Sequence, residues 1–372
     1  MKNIFKIASL LAAAVVLFSC EKVESQGNGL ELVSDKDVIQ ADGKDAATLK
    51  VMYNGKDVTA ESLIYDENDN EVVLADGKFT ATEVGEYKFY ADYGTMSTFN
   101  KGADDNGLYV VKAINVPVPA AAEDPQPQNT SFVHRTFLTQ YTGTGCKFCP
   151  LMVKVIREVR GEKIIPEKAI HVAVHSFGTD DPAYIATPKV SNYPYLTLDN
   201  VTGFSAEQGT DYLKTLIEEH STGAAKAGIS VNSKYYEDGN VLIVKVAVKP
   251  SVDGVFNVGA WLLEDEIYGK QHVYGPYNEF VDESYDIHEN CVRIADSKYK
   301  GTWFGHELGT LSKGKVAEKT FVMNLKRSWE VENLHLAVFV SYGEQNGSRM
   351  EYAVCNAVDV PIDAPTPFEY VK

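Results

Sequence analysis

Two cysteines separated by two residues, Cys146 and Cys149, are the side chains whose type and spacing most favour chemistry in this sequence. Pro150 and a helical apolar pattern follow them, which places the pair at the start of a predicted helix. Unsatisfied backbone N–H groups and the positive end of the helix dipole favour the thiolate form of Cys146. The pattern therefore predicts that Cys146 attacks a substrate disulfide and that Cys149 resolves the mixed disulfide.

Two other interpretations of the pair stay open. A Cys-x-x-Cys sequence forms half of many zinc sites, but zinc needs a second pair of ligands, and the later cysteines are isolated from each other. We therefore expect no metal, and nothing in the sequence points to a cofactor. The pair could also be an inert structural disulfide within a scaffold that binds partners.

Strand and helix signals alternate around the pair, as they do in a thioredoxin-like arrangement. The predicted elements, in order, are strand 132–141, helix 150–160, strand 169–177, strand 195–198 and helix 206–220. Pro194 precedes the third strand, and we predict a cis Tyr193–Pro194 bond that presents backbone to a bound peptide. His175 lies near the end of the second strand, where it could move a proton for the cysteines or serve only as a structural histidine.

The whole chain is predicted to be multidomain, α/β plus all-β, with β-sandwiches flanking a central thioredoxin-like α/β domain. Period-two patterns punctuated by Asp-Gly and Asn-Gly turns predict the N-terminal Ig-like sandwich, and a Pro-rich segment follows it as a linker. The predicted segments are a signal peptide (1–19), a tether (20–29), the Ig-like sandwich (30–116), the linker (117–130), the thioredoxin-like domain (131–222), a C-terminal β-sandwich (223–362) and a tail (363–372).

The first residues have the pattern of an export signal. Lys2 and Lys6 precede an apolar run over 7–18, which is too short to span a bilayer as a mature helix. The run ends in Leu-Phe-Ser followed by Cys20, which resembles a bacterial lipobox and implies cleavage before Cys20 and acylation of its thiol. An ordinary secretory signal is the alternative. The resemblance predicts a protein held on the membrane by its acyl chains.

The net charge argues against a nucleic-acid partner. The compartment of an exported protein determines whether its remaining cysteines can form disulfides. The 35 basic and 52 acidic residues give a net charge of −17, which opposes binding to nucleic-acid phosphates. An exported protein lies in an oxidising compartment, where cysteine pairs persist as disulfides. Cys291 and Cys355 are accordingly either an interstrand disulfide or two free buried thiols.

Sequence blocks from residue 131 to about 362 resemble the outer-membrane-protein-28-related family of envelope lipoproteins. The blocks are, in order, FLTQYTGTGCKFCP, AIHVAVHS with DDP, YPYLTLDN, WLLEDEIYGKQ, YDIHENCVRIA and LHLAVFVSYG with VCNAVDV. The resemblance implies a thioredoxin-like domain followed by a β-sandwich, at the outer membrane of a Gram-negative cell. Whether the protein faces the periplasm or the outside is left open.

Two functions are compatible with these patterns. The first is a lipid-anchored thiol–disulfide oxidoreductase that acts on thiols and disulfides of envelope or surface proteins. The second is a non-catalytic adhesin or assembly module that uses the thioredoxin-like domain as a scaffold. Gly145 stands where active thioredoxins commonly carry Trp, which weakens the first. The exposure of the Cys146 sulfur distinguishes them, because exchange requires an accessible sulfur.

Overall fold

Strands dominate the architecture. The computed structural model describes residues 29–99, 107–186, 190, 192–296, 304–347 and 349–372. The strands of these residues are β1 Leu30–Ser34, β2 Val38–Gln40, β3 Ala46–Tyr53, β4 Lys56–Asp57, β5 Leu63–Asp66, β6 Lys78–Thr80, β7 Gly85–Tyr93, β8 Met96–Ser97, β9 Tyr109–Ile114, β10 Thr136–Thr142, β11 Ala169–His175, β12 Tyr195–Leu198, β13 Thr202–Phe204, β14 Ala227–Tyr236, β15 Val241–Pro250, β16 Gly254–Glu264, β17 Ile267–Tyr268, β18 Ile287–His288, β19 Cys291–Asp296, β20 His306–Leu311, β21 Ala317–Asn324, β22 Leu334–Asn346 and β23 Arg349–Pro361. The helices of the same residues are α1 Cys149–Gly161, α2 Ile164–Glu167 and α3 Thr210–His220.

The N-terminal strands form two small sheets around their own apolar core. One sheet has the order β1-β3-β4, with β6 paired to β3, and the other has the order β2-β9-β7-β5, with β8 paired to β7. Alternate residues of β3 point inward, so Leu49 and Val51 are fully buried, and they share a core with Phe89 and Val111. This alternation is what a strand with one buried face requires.

A nine-stranded sheet positions the cysteine pair. Its order is β13-β12-β10-β11-β19-β16-β22-β23, and β20 pairs with β16. Strand β10 lies parallel to β11 and antiparallel to β12. Both faces of β10 are covered: Leu138 packs with apolar residues of α1 and α3, whereas Phe137 packs with Trp261 and Phe339 of the C-terminal strands. Burial on both faces accounts for the near-continuous apolar character of this strand.

The prediction of a multidomain fold with a central thioredoxin-like α/β domain is wrong. The chain is essentially all-β, and the part that the structure describes has only three helices, one of them four residues long. The strands of region 131–222 form no sheet of their own, because β11 pairs with β19 in the same sheet as β16, β22 and β23. Period-two and period-3.6 patterns identify single elements, but they do not show which distant strand completes a sheet.

A second, three-stranded sheet with the order β14-β15-β21 packs on the C-terminal strands of the large sheet. The layer between them contains fully buried Val244, Phe256 and Val338. Apolar side chains that alternate along strands of both sheets interdigitate in this layer, as in sheet-on-sheet packing generally.

One buried lysine fastens the segments expected to be a linker and a tail. Lys249 of β15 is 1% exposed, and its Nζ donates to Asp124 Oδ2 (2.8 Å), to the carbonyls of Gln126 and Pro127 (3.2 and 2.8 Å) and to the Tyr370 hydroxyl (3.1 Å). The Tyr370 hydroxyl donates to the other oxygen of Asp124 at 2.6 Å. A buried ammonium requires such partners, so this cluster holds both segments against β15.

Candidate functional site

The two cysteines lie in the turn between β10 and α1 and form a disulfide. Their sulfur atoms are 2.05 Å apart and their Cα atoms 5.4 Å apart. The Cys146 N–H donates to the Gly143 carbonyl at 3.0 Å, and the Cys149 N–H donates to the Cys146 carbonyl at 3.1 Å. A side chain at Gly143 would bring a Cβ to 2.8 Å from the Phe177 carbonyl oxygen, so the turn requires glycine there.

A buried carboxylate fixes the start of this turn. Asp181 accepts hydrogen bonds from the Thr144 N–H (2.6 Å), the Ala183 N–H (2.8 Å) and His175 Nδ1 (3.0 Å). Burial raises the pKa of Asp181, but the hydrogen bond and charge of His175 and the two backbone donors outweigh it and lower the pKa to about 2. The carboxylate is therefore charged at physiological pH and holds the cysteine turn to the end of β11.

His175 contacts Cys291 and not the Cys146–Cys149 pair, for which the sequence suggested a role. Its Nδ1 lies against Asp181, and its Nε2 lies 3.5 Å from Cys291 Sγ. Within the described residues, His175 makes no hydrogen bond to either sulfur of the disulfide. No direct contact therefore supports proton transfer between His175 and the cysteine pair. The observed hydrogen bond of His175 positions Asp181.

Pro194 directly precedes β12, which lies next to β10. The Tyr193–Pro194 bond is cis, as predicted, and Tyr195 pairs with Tyr141 near the end of β10. The Tyr193 ring packs against Phe177 with centroids 5.2 Å apart. A Cβ at Gly145 would lie 3.5 Å from the Phe177 ring, so Phe177 stands between the proline segment and the cysteine turn.

A segment from the C-terminal half covers the cysteine turn. We call residues 269–274 the cover. The Gln271 Nε2 group donates to the Thr144 and Cys146 carbonyls at 3.1 and 3.0 Å. The His272 N–H donates to the Thr144 carbonyl, and the Tyr274 N–H donates to the Lys147 carbonyl, both at 2.8 Å. These bonds occupy the carbonyls of Thr144, Cys146 and Lys147 on the side of the turn that the cover faces.

Asp286 holds the cover from the other side. Its carboxylate accepts the Gln271 N–H at 2.9 Å, and its carbonyl accepts the Gly269 N–H at 2.8 Å. As a result Cys146 is 3% exposed and Cys149 is fully buried. The partly accessible Cys146 sulfur that exchange chemistry requires is absent from this arrangement.

Cys291 and Cys355 do not form the disulfide considered from the sequence. Both are free and buried. Cys291 begins β19 and Cys355 lies in β23, and β16 and β22 run between these strands. Strands are about 4.8 Å apart, so the two cysteines are roughly 14 Å apart across the sheet, well beyond disulfide reach. Burial raises the pKa of both thiols above the usual value, which makes them unreactive.

Sequence reasoning missed the two residues that shape the site. Asp181 lies in the DDP block that contributes to the family resemblance, but a lone aspartate carries no signal of the backbone groups it will bind. Gln271 lies 125 positions from Cys146. No local pattern connects residues so distant in sequence.

Cys20, the expected acylation site, lies outside the described residues. In the described part of the chain, no helix is long and apolar enough to cross a membrane. Among those same residues, no three His, Cys, Asp or Glu side chains are grouped so that they could hold a metal ion.

Fold and site together define a β-rich protein with a covered disulfide at the edge of its small helical layer. A family profile described as outer membrane protein Omp28 matches residues 181–363. This match confirms the family resemblance predicted from the sequence, and it places the protein at the outer membrane.

Solved structures resemble parts of the chain. HBP35 of Porphyromonas gingivalis has 17% sequence identity and a TM-score of 0.48, and the match covers 64% of this chain and 78% of that one. A structural-genomics protein of Agrobacterium tumefaciens has 14% identity and a TM-score of 0.38, and the match covers 63% of this chain and 97% of that one. No curated protein sequence matches the chain.

Proposed function

We propose that this protein is a non-catalytic envelope module at the outer membrane, an assembly or adhesion component in which Cys146–Cys149 is a structural cross-link. The observation that carries this proposal is the burial of both cysteines beneath the cover. Attack on a disulfide requires the incoming thiolate to reach one sulfur directly, and the cover occupies the approach. The disulfide then serves to fasten the β10–α1 turn.

The energy needed to lift the cover supports the same proposal. Four hydrogen bonds join the cover to the cysteine turn. At about 1 kcal/mol net for each, opening costs about 4 kcal/mol, which leaves roughly one molecule in a thousand open. A disulfide presented this rarely is a poor catalyst, but it is a durable cross-link.

Native-state reduction tests the proposal. We expect dithiothreitol to reduce Cys146–Cys149 at least about a hundredfold more slowly in the folded protein than in urea, since attack must await opening. The reduced fraction is measured by alkylation and mass spectrometry. Gln271→Ala should raise the native rate about tenfold or more, because it removes two cover bonds, and Gln345→Ala, at an exposed glutamine of β22, should not change the rate. Native reduction as fast as reduction in urea would overturn the proposal.

Thiol–disulfide exchange on envelope proteins is the second candidate. It is favoured by the exposed aromatic contact where the cover meets the cysteine turn: Tyr274 of the cover and Phe148 of the turn are each 40% exposed, with ring centroids 5.0 Å apart. A protein substrate could displace such a segment. If this is the function, Cys149→Ser isolated from cells carries proteins joined to Cys146, and Gln271→Ala catalyses the reduction of a model disulfide by added glutathione. The structural proposal expects neither result.

For attachment to the membrane, we propose acylation of Cys20. The Leu-Phe-Ser-Cys sequence and the outer-membrane location of the family support it. Cells fed labelled palmitate are expected to label the wild-type protein, and Cys20→Ala should remain unlabelled and leave the membrane fraction. Cys355→Ala is the matched control, because its buried thiol is out of reach of acylation. Labelling of Cys20→Ala would contradict the assignment.

A further inference from the structure

A cleft of about 260 Å³ lies between α1 and residues 285–290. Its floor is formed by side chains of β10 and β11, including Gln140, His171 and Ala173, and Ile156 of α1 forms an apolar wall. Arg157 and Arg160 line its outer part. Neither Cys146 nor Cys149 is among the lining residues, although His175, which contacts Asp181, lines the end of the cleft nearest the cysteine turn.

The floor of the cleft carries an amide group without a partner. Gln140 is 3% exposed, and its Nε2 is buried and makes no hydrogen bond within the described residues. A buried donor left unpaired costs about 1–3 kcal/mol. Because Gln140 lines the cleft, a ligand in the cleft would supply the missing acceptor.

His171 and Arg160 fix which end of the Gln140 amide is unpaired. Arg160 Nη2 lies 3.4 Å from His171 Nδ1, and His171 Nε2 lies 3.0 Å from Gln140 Oε1. Burial and the charge of Arg160 lower the pKa of His171 to about 3, so the ring is neutral. Arg160 only donates, so Nδ1 accepts, Nε2 carries the proton, and Gln140 must offer its oxygen to it. The amide nitrogen of Gln140 therefore faces away from His171.

The two arginines supply positive charge to the cleft, and, together with hydrogen bonds from Ser284, the charge of Arg157 also helps to lower the pKa of the nearby Asp282 carboxyl. Arg157 donates to the Ser284 hydroxyl and carbonyl, both at 2.9 Å, and neither arginine forms an ion pair in the described part of the chain. This is unusual in a chain with 52 acidic and 35 basic residues. Glu289 also lines the cleft, but its carboxylate accepts the Glu266 N–H at 3.2 Å.

We propose that this cleft binds a small organic acid with one carboxylate and one neutral oxygen acceptor. The carboxylate lies near Arg157 and Arg160, the acceptor receives the Gln140 Nε2–H, and the carbon skeleton contacts Ile156 and Ala173. A cavity of about 150 Å³ holds benzene, so this cleft accommodates roughly ten non-hydrogen atoms. Pockets of this kind combine apolar walls with a few polar groups that fix the orientation of the ligand.

Three related probes test the two polar contacts separately. 4-Oxopentanoate has both groups, pentanoate lacks the carbonyl, and 4-oxopentanamide lacks the charge. We expect 4-oxopentanoate to bind saturably at millimolar concentration or below, and the other two to bind about tenfold or more weakly. Binding is followed by NMR on the side-chain amide of Gln140, whose signal is assigned by its loss in Gln140→Leu and should shift on binding.

Variants of the full chain locate the contacts. Arg160→Gln should weaken 4-oxopentanoate about fivefold or more, while Arg327→Gln, at an exposed arginine elsewhere, should leave its affinity within about twofold. Gln140→Leu should abolish the preference for 4-oxopentanoate over pentanoate, which a merely destabilised protein would not do. Absence of saturable binding, equal binding of the charged and neutral probes, or an unmoved Gln140 signal would each overturn the proposal.

Discussion

Replacing Asp124 by alanine is expected to lower the free energy of unfolding by about 3–5 kcal/mol. The substitution leaves the Lys249 ammonium buried, with two carbonyls and a hydroxyl but no counter-charge. Removal of one partner from a buried ion pair typically costs this much, because the remaining charge stays desolvated. Urea unfolding followed by tryptophan fluorescence measures the change.

Two further variants separate the charge from the loss of contacts. Asp124→Ala combined with Lys249→Met should recover more than half of the lost stability, since it removes the unpaired ammonium and keeps an apolar chain in its place. Asp211→Ala breaks an ion pair to Lys214 whose aspartate is 98% exposed, and it should change stability by less than about 0.5 kcal/mol. A double variant no more stable than Asp124→Ala would mean that the charge is not the cause.

Asp181→Ala is expected to cost a similar amount, about 3–5 kcal/mol, and also to loosen the disulfide. Three buried donors lose their acceptor at once, namely the N–H groups of Thr144 and Ala183 and the Nδ1 of His175. The Thr144 bond begins the cysteine turn, so its loss should speed reduction of the disulfide in the folded protein. Asp180→Ala, at the exposed neighbour, should alter neither quantity by much.

The stability of the protein in acid should also depend on the Asp181 carboxylate. The pKa of Asp181 is about 2 when folded and 3.8 without its partners, so it stabilises the folded state above pH 3.8. That stability, about 2 kcal/mol, is lost as the pH falls from 3.8 toward 2. Asp181→Asn should lack this component when urea unfolding is compared between pH 5 and pH 2. An identical loss in the wild type and the variant would assign the acid sensitivity to other carboxylates.

The local elements were predictable because local patterns determine them. The helix expected at 150–160 is Cys149–Gly161, and the strand expected at 195–198 is Tyr195–Leu198. Spacing of apolar residues and the proline at each start carry that information. The same patterns placed the cysteine pair correctly at the beginning of α1.

What could not be predicted depends on pairing between distant parts of the chain. The cover reaches the cysteine turn from Gln271, and β11 joins β19 through Ala173 and Cys291. Strand periodicity is the same whichever partner a strand finds, so a patterned region was mistaken for a separate α/β domain. The burial of Cys146 follows from these distant contacts, and the reactivity inferred from its spacing did not account for them.

The pairing of β11 with β19 also affects how the newly exported chain folds. When the chain emerges from the export channel, β11 is complete more than a hundred residues before Cys291 arrives. Until then the edge of β11 opposite β10 is open, and an open strand edge is a template for pairing with other chains. A chain cut short before β19 is therefore left with an unpaired edge on β11 in place of a finished sheet.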